Sequence, residues 1–515
     1  MNEQSIQKQY NQIVSLLEDK RLKEALVQLD AFLYNSNDWT LRNRLEQIQT
    51  SYQYMLQYMK LGMKDPERHK LYRQLLADTW EIADQTRILL LDEISTHYYH
   101  SLRRNPNQLP KAYDLSAQQR ILEGFSDEMA VSQLANYQGL DAILKRHEET
   151  HQVMFLTTWS NNNWTLEEFA QAEDMLRSET LPINDLCLFV SAVTLSLMEC
   201  FDERKINWLL DGLRHIHPQI NQRALVGLVI TLHLYPTRIT LYPELEARIS
   251  LFREDPDFSK QVNRVYIQLL RSQETEKIDK KMREEIIPEM MKNPKLNLEG
   301  LDEDAEDHNP EWEEWIDRSG ITDKLRELGE LQMSGADVYM STFSQLKQFP
   351  FFRKISHWFY PFDPQYQDIA KLSLGNDEQK ISLLNILMNS DVFCNSDKYS
   401  FCFTMLQMPE SQRNLMQQQL NGQHEASEEL KERLKEMSQS KARAEFVSRQ
   451  YIHDLYRFFK LWSRRHEIHD IFEDTLDLWN KETLSQALLH KDYINKLADY
   501  LFTHDDLTEA GILYD

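Results

Sequence analysis

The chain has 515 residues, a formal net charge of −24 and only 12 glycines. This length exceeds what one hydrophobic core organises, so we expect roughly three to five packing units. The scarcity of glycine argues against turn-rich all-β folds and Gly-rich nucleotide-binding folds, and the negative charge argues against nucleic-acid binding.

Neither a secretory signal nor a membrane span is predicted. The N-terminal sequence lacks the positive start and apolar stretch of a signal, and the longest apolar runs, 186–198 and 224–235, are too short to cross a bilayer. The four cysteines form no CxxC pair. We therefore expect a cytoplasmic protein without membrane insertion.

The N-terminal segment has helical spacing of its apolar residues. Ile6, Ile13 and Leu17 fall on one stripe, and a second stripe runs from Leu22 to Leu33. The pattern predicts two antiparallel helices with a short join at 18–22. It resembles a single tetratricopeptide unit, in which a small residue such as Ala25 lets paired helices approach closely.

Several more helices follow in the first third of the chain. The stretch between Pro66 and Pro106 predicts one long helix of about 35 residues or two abutting ones. Thr165 with Glu168 three residues later predicts a capping box. Further helices are expected at 116–133, 140–157 and 166–179.

An internal repeat is present between 183 and 253. A shift of 37 residues aligns INDLCLFVSAVTLSL at 183–197 with INQRALVGLVITLHL at 220–234, and each copy is followed by a second amphipathic segment. Such a period is typical of helical solenoids. The fold class we predict is all-α, a HEAT-like or tetratricopeptide-like solenoid of stacked antiparallel helix pairs.

A charged helix is predicted at 262–291, and an acidic segment follows it. Residues 299–317 hold ten acidic side chains and no Lys or Arg. The order of ligands required by an EF-hand is missing, so this segment is interpreted as a solvated linker.

Residues 349–366 are unusually aromatic, with eight aromatic side chains in eighteen residues. We interpret this segment as a connector whose rings fill a seam between helices. The alternative is an exposed interaction surface. In that case the anchoring residues would be Trp358, Phe359, Tyr360 and Phe362.

The C-terminal part returns to helical patterns at 377–389, 410–421 and 426–465, and a coiled-coil dimer is not favoured because Lys441 and Ser448 interrupt the heptads. The final residues resemble a tetratricopeptide first helix, a turn and the start of a second helix.

The predicted organisation is 1–170, an N-terminal helical region; 180–295, HEAT-like repeats; 296–345, an acidic linker and helix; 346–410, an aromatic connector with helices; and 411–515, the C-terminal helices.

No catalytic, cofactor-binding or metal-binding residues are predicted. His97 with His100 and His466 with His469 have three-residue spacing, whereas the zinc-binding HExxH pattern needs four. These histidines are therefore interpreted as surface residues. Neither GxSxG, a P-loop nor GxGxxG occurs.

Several strings carry a family resemblance. NQRALVGL, LYPELEARI, KIDKKMREEIIPEMMK, SGADVYMSTFSQLKQFPFFRKISHWFYPFDP and VFCNSDKYSFCF resemble a group of tetratricopeptide-containing proteins of Bacteroides and related bacteria, over about 180–515. That group has no established activity to transfer. Its members are longer, so we expect this chain to be a shortened form or a naturally short relative.

Two functional hypotheses follow. The first is a non-catalytic scaffold that binds peptides of protein partners on a helical-repeat surface, which is what the resemblance implies. The alternative is an enzyme or small-molecule sensor with a pocket near 349–366, where Arg353, His357 or Asp363 would converge.

Overall fold

The computed structural model describes residues 1–105, 114–135, 139–286, 336–373, 393–409, 440–477, 491–503 and 507–514. Over these ranges the chain is helical and contains no strand, which confirms the all-α class. The chain divides into two compact units. Unit 1 comprises Met1–Ile216, Gly227–Lys260 and Asp477–Ile494; unit 2 comprises His217–Val226, Gln261–Leu476 and Asn495–Asp515.

The helices of the first half follow one another with short joins. They are α1 Glu3–Glu18, α2 Leu22–Leu33, α3 Trp39–Lys60, α4 Arg68–Ile94, α5 Tyr98–Arg104, α6 Leu115–Glu123, α7 Phe125–Leu134, α8 Leu140–Ser160, α9 Leu166–Arg177, α10 Ile183–Glu199, α11 Glu203–Gly212, α12 Pro218–Leu234, α13 Pro236–Ile239 and α14 Pro243–Arg253.

Helices α1 to α4 share one hydrophobic core in unit 1, and the predicted first hairpin is present as α1 and α2. The buried positions of α1 are Ile6, Ile13 and Leu17, as their spacing predicts. A buried charge also ties these helices together, because Asp84 of α4 accepts a hydrogen bond of 2.5 Å from Tyr10 and pairs with Arg238.

The stretch between Pro66 and Pro106 forms two abutting helices, α4 and α5. Contacts between the end of α4 and α5 fix the break: Asp92 accepts from Arg103 at 2.9 Å and lies 2.7 Å from His100, and Arg104 donates to the Ser95 carbonyl at 2.6 Å. The single helix predicted at 116–133 is instead two, α6 and α7. They are separated at Gly124, and glycine is a poor helix former.

The predicted capping box at the start of α9 is confirmed. The Thr165 hydroxyl accepts from the Glu168 backbone N–H at 3.1 Å, and the Glu168 carboxylate accepts from the Thr165 N–H at 2.7 Å. Both bonds satisfy N–H groups that a helix start leaves without intrahelical partners.

Removal of this cap gives a first testable prediction. We expect Thr165→Ala to lower the free energy of unfolding by about 1 kcal/mol, because one N-terminal N–H loses its acceptor. Urea unfolding checks this value. Thr150→Ala is the control, since Thr150 lies within α8 and bonds only to the Arg146 carbonyl; an equal loss in both variants would contradict the capping argument.

The two copies of the 37-residue alignment lie in α10 and α12, which have 17 residues each. Their aligned threonines make the same bond: Thr194 donates to the Val190 carbonyl at 2.9 Å, and Thr231 donates to the Gly227 carbonyl at 2.7 Å. Gly227 faces Thr194 of α10. A β-carbon at 227 would collide with the Thr194 Oγ1, and the Cβ and Cγ2 of Thr194 would lie at a tight 3.3 Å.

The helices of the second half are less regular. The charged helix predicted at 262–291 is described to 286 as two helices and one π-helical turn, Met282–Ile286. The acidic segment 299–317 and the helices predicted at 377–389 and 410–421 lie outside the described residues. The remaining helices are α15 Pro256–Gln273, α16 Thr275–Lys281, α17 Met340–Ser344, α18 Gln367–Ser373, α19 Asn395–Gln407, α20 Ser440–Leu461, α21 Lys491–Thr503 and α22 Leu507–Tyr514.

Candidate functional site

The aromatic segment 349–366 lies in the interior of unit 2. It forms short 3₁₀ turns, Pro350–Arg353 and Ile355–Trp358. The alternative of an exposed interaction surface is wrong here, because all four of its candidate anchors are buried, with exposed fractions of 6% or less, as the interpretation of a connector requires. Two of their rings contact Phe458 of α20, and another contacts Tyr399 of α19. The four are Trp358, Phe359, Tyr360 and Phe362.

Polar contacts also hold this segment in place. Asn395 of α19 accepts from the Phe362 N–H at 3.1 Å, and the Tyr399 hydroxyl donates to the Pro361 carbonyl at 3.0 Å. Arg223 donates to the Phe359 carbonyl at 2.9 Å. Exposing the rings would break these buried bonds, so the segment acts as part of the core.

The pocket alternative named Arg353, His357 or Asp363 as residues that would converge near 349–366. The structure places them at different depths: Arg353 is exposed, Asp363 is partly buried and His357 is buried. Both ring nitrogens of His357 are occupied, at 2.9 Å from the Phe351 carbonyl and at 2.8 Å from the Tyr366 hydroxyl. Because these three side chains differ in burial, the structure does not support a pocket lined by all of them.

Unit 2 also contains a buried cluster of charges around Arg457 of α20. Its guanidinium pairs with Asp337, at 2.9 Å for one of the two contacts, and lies 2.8 Å from Asp397. Lys347 approaches Asp397 at 2.9 Å from the other side. Two cations and two carboxylates therefore balance in a region closed to solvent, which is the condition under which buried charges are tolerated.

This cluster predicts a pH dependence of stability. Burial raises the pKa of the Asp337 carboxyl, but the charge and hydrogen bonds of Arg457 outweigh it, so that pKa lies below its usual value. A carboxyl with a lowered folded-state pKa stabilises the fold above its unfolded pKa of about 3.9, and this stabilisation is lost as the pH falls through the folded value.

We therefore expect Asp337→Asn to have a lower free energy of unfolding than wild type near neutral pH. This difference in unfolding free energy should narrow toward about pH 3. Urea unfolding at both pH values measures it. The exposed Asp174→Asn is the control, since its carboxylate is 71% exposed and contributes little at either pH. A gap for Asp337→Asn that does not change with pH would contradict the prediction.

A second feature is an exposed apolar surface at the end of α3 and the start of α4. Seven large hydrophobic side chains are exposed between residues 54 and 71, while Met55 is the last buried residue before Leu75. We call this the tip surface. It comprises Tyr54, Leu56, Tyr58, Met59, Leu61, Met63 and Leu71.

The geometry of the tip surface follows from how α3 ends. Tyr54, Tyr58 and Leu61 are spaced by four and three residues, so they lie on one helical face, and each is more than half exposed. Gly62 then takes a positive φ of 74° and the Met63 N–H bonds back to the Tyr58 carbonyl at 3.2 Å, a glycine-dependent helix end.

The charge of the tip surface is opposite to that of the whole chain. Residues 54–71 contain four Lys or Arg and two Asp or Glu, within a chain of net charge −24. Lys60, Lys64 and Lys70 are all exposed. Apolar and basic side chains therefore occupy the same small region.

A third feature is a buried cluster of two histidines and an aspartate in unit 1. His147 and His151 lie one turn apart on α8, and Asp185 lies in the first turn of α10. The Asp185 carboxylate is 2.7 Å from His147 Nε2 and 3.4 Å from His151 Nδ1. Their exposed fractions are 5%, 1% and 0%, so all three side chains are in the interior.

Charge and packing both fix this cluster. Burial raises the pKa of the Asp185 carboxyl, but His147 and His151 lower it by charge and hydrogen bonding, and the net direction is down. The His147 ring stacks on Phe125 of α7 with centroids 3.8 Å apart, and it meets the His151 ring edge-on at 5.2 Å. One ligand atom from each of His147, His151 and Asp185 lies within 4.8 Å of the others.

The sequence carried a signal for this cluster. Residues 147–151 read HEETH, which satisfies the HExxH pattern with histidines four apart. The prediction of no metal ligands weighed the HEIHD string at 466–470 and overlooked this one. Asp185 lies 38 residues from His147 in the chain, and only the packing of α8 on α10 reveals it as the third member.

The histidines that the sequence singled out have different surroundings. His466 and His469 are exposed, as expected, and His469 pairs with Asp474 at 2.9 Å. His100 is instead buried, 2.7 Å from Asp92, and this corrects its interpretation as a surface residue.

The chain matches no protein-family model, no curated protein and no solved structure. The resemblance to tetratricopeptide-containing proteins of Bacteroides therefore stays a prediction. Within the described ranges, none of the helices combines the length and the apolar character needed to cross a bilayer.

Proposed function

We propose that the chain is a non-catalytic protein-interaction scaffold that binds an acidic, amphipathic segment of a partner protein on the tip surface. A helical-repeat arrangement of the HEAT and tetratricopeptide kind is part of this proposal. The equal lengths of α10 and α12, and the threonine bond that they share, support it.

The observation that carries the proposal is the concentration of exposed apolar side chains at the tip. Single exposed hydrophobic residues are ordinary, but seven of them lie between residues 54 and 71, and Tyr54, Tyr58 and Leu61 share one helical face, a concentration typical of an interaction site. Tyr54 and Tyr58 are large, have few rotatable bonds and carry a polar hydroxyl, which are properties enriched at the centres of protein interfaces.

The charges of the tip surface indicate the chemistry of its partner. Lys60, Lys64 and Lys70 favour an acidic partner and repel a basic one. Nucleic acid would satisfy the lysines, but its phosphate backbone would leave Leu61 and Met63 uncovered. A peptide with carboxylates on one face and apolar residues on the other matches both components.

Selection from a displayed peptide library tests this proposal with the full chain as bait. We expect enriched peptides to combine acidic and apolar residues at helical spacing. Tyr54→Ser with Tyr58→Ser should weaken their binding roughly tenfold or more, since truncating an interface aromatic costs over 1 kcal/mol. Lys60→Glu with Lys64→Glu should weaken binding and remove most of its salt dependence.

Leu134→Ser is the matched control, because Leu134 is also in unit 1, is 88% exposed and lies outside the tip surface. It should leave the affinity unchanged. Enriched peptides that bind the tyrosine variant as tightly as wild type would overturn the proposal, as would an equal loss in Leu134→Ser.

A further inference from the structure

We propose that His147, His151 and Asp185 bind one zinc ion, which links α8 to α10 inside unit 1. This inference is independent of the scaffold proposal, since the cluster shares no residue with the tip surface. It rests on the identity of the three side chains, on their spacing and on their burial.

The donor set favours a first-row transition metal. Two imidazole nitrogens and one carboxylate oxygen are the ligands that zinc takes in many proteins, whereas calcium and magnesium prefer oxygen ligands alone. Ligand bonds of about 2.0–2.2 Å place the donors of a tetrahedral zinc site roughly 3.3 Å apart. The 3.4 Å between Asp185 Oδ1 and His151 Nδ1 fits that spacing.

The three ligand atoms lie within 4.8 Å of one another, so rotations of the side chains have to complete the donor spacing. His147 Nε2 lies 2.7 Å from Asp185 Oδ2, which is a direct hydrogen bond. Binding of zinc would open this contact by roughly half an ångström or more, to the donor spacing of a tetrahedral site. A rotation of the Asp185 carboxylate about its own side-chain bonds moves its oxygens by this amount without a change in either helix.

Burial decides between a structural and a catalytic ion. In zinc hydrolases with an HExxH helix, the glutamate activates a water on an open metal position that substrate can reach. Here both histidines and the aspartate are closed off from solvent, with exposed fractions of 5% or less. The three side chains leave a fourth position of a tetrahedral ion unfilled by protein. Because burial keeps substrate away from that position, we assign the ion a structural role, in which it joins helices and Glu148 has no catalytic role.

A structural ion at this place would connect three helices. His147 and His151 belong to α8, Asp185 belongs to α10, and the stack of His147 on Phe125 extends the contact to α7. Asp185 begins the stretch of α10 in which every residue through Met198 is buried. The ion would thus fix the start of this buried helix.

Equilibrium dialysis of the full-length chain against zinc, after chelator treatment, tests the proposal. We expect one zinc per chain in wild type, and an affinity weakened by at least about 100-fold in Asp185→Asn and in His151→Gln. Zinc should raise the Tm of wild type in a concentration-dependent way and should leave the Tm of Asp185→Asn unchanged.

His100→Gln is the matched control, because His100 with Asp92 is another buried histidine–aspartate pair of unit 1. It should retain one zinc per chain. His466→Gln with His469→Gln controls for binding at exposed histidines and should also retain it.

A measurement on wild type alone keeps the test valid if a ligand variant fails to fold. X-ray absorption of the zinc-loaded protein should give two imidazole ligands with oxygen and no sulfur. Failure of wild type to retain a stoichiometric ion would overturn the proposal, as would sulfur ligation or equal zinc loss in His100→Gln.

Discussion

Replacing Arg457 by Met is expected to lower the free energy of unfolding by about 3–5 kcal/mol, the cost of breaking a buried ion pair by removal of one partner. The substitution keeps most of the apolar stem and removes only the charge and its donors. Asp337 and Asp397 would then face each other's charge in the interior with Lys347 as the remaining cation.

The magnitude follows from what each carboxylate loses. Arg457 donates to both oxygens of Asp337, so the variant leaves that group without its two strongest bonds. Leaving a carboxylate without a partner in a low-dielectric interior costs several kcal/mol of stability. Protonation of the carboxylate recovers part of this cost.

Urea unfolding of wild type and variant checks the Arg457 prediction. Arg464→Met is the matched control, since Arg464 follows α20, pairs with Glu467 and has a side chain that is 41% exposed. Because the Arg464 guanidinium reaches solvent, which screens its pair with the less exposed Glu467, this variant should lose less stability than Arg457→Met. Similar losses in the two variants would mean that burial does not determine the effect of Arg457.

Gly227→Ala is expected to destabilise unit 1 by about 1–3 kcal/mol, which is the usual cost of forcing an extra methyl group into a packed core. Its new β-carbon would collide with Thr194 across the contact between α10 and α12. Gly511→Ala provides the opposite case. A β-carbon at 511 in α22 meets nothing within 4 Å, so that substitution should be neutral or stabilising by up to about 1 kcal/mol.

A double-mutant cycle identifies the cause of the Gly227 effect. Thr194→Ala removes the atoms that the new methyl group would strike, so the double variant should lose less stability than the sum of the single losses. We expect a coupling of about 1 kcal/mol or more, measured by urea unfolding. Additive losses would contradict the steric explanation.

Local sequence signals predicted the helices well where the deciding contacts are close in the chain. The capping box at Thr165 needs only a residue three positions away, and the stripes of α1 and α2 need only the helical period. The break between α4 and α5 was harder to predict, because no proline marks it and it depends on Asp92 meeting Arg103 and His100.

Burial of the aromatic segment could be favoured from the sequence but not decided. Eight aromatic residues in eighteen suit an interior seam and an exposed surface alike, since both reward large apolar rings. The deciding partners, Asn395, Tyr399 and Arg223, lie 33 or more positions away from the groups they bind. Composition alone cannot reveal such contacts.

The tip surface and the histidine cluster were not predicted, for different reasons. The exposure of Tyr58 and Leu61 depends on α3 continuing past the last buried residue at Met55, which spacing cannot show. The HEETH string was present in the sequence, but its third partner Asp185 becomes evident only when α8 packs on α10.

The start of α19 is capped from a distance. No side chain near Cys394 caps it; instead the Asp454 carboxylate of α20 accepts from the Asn395 N–H at 3.2 Å and the Ser396 N–H at 2.9 Å. A helix of 13 residues without its own cap is marginal in isolation. During synthesis these two N–H groups therefore stay without this acceptor until residue 454 has left the ribosome, and forming the Ser396 bond closes a loop of 58 positions.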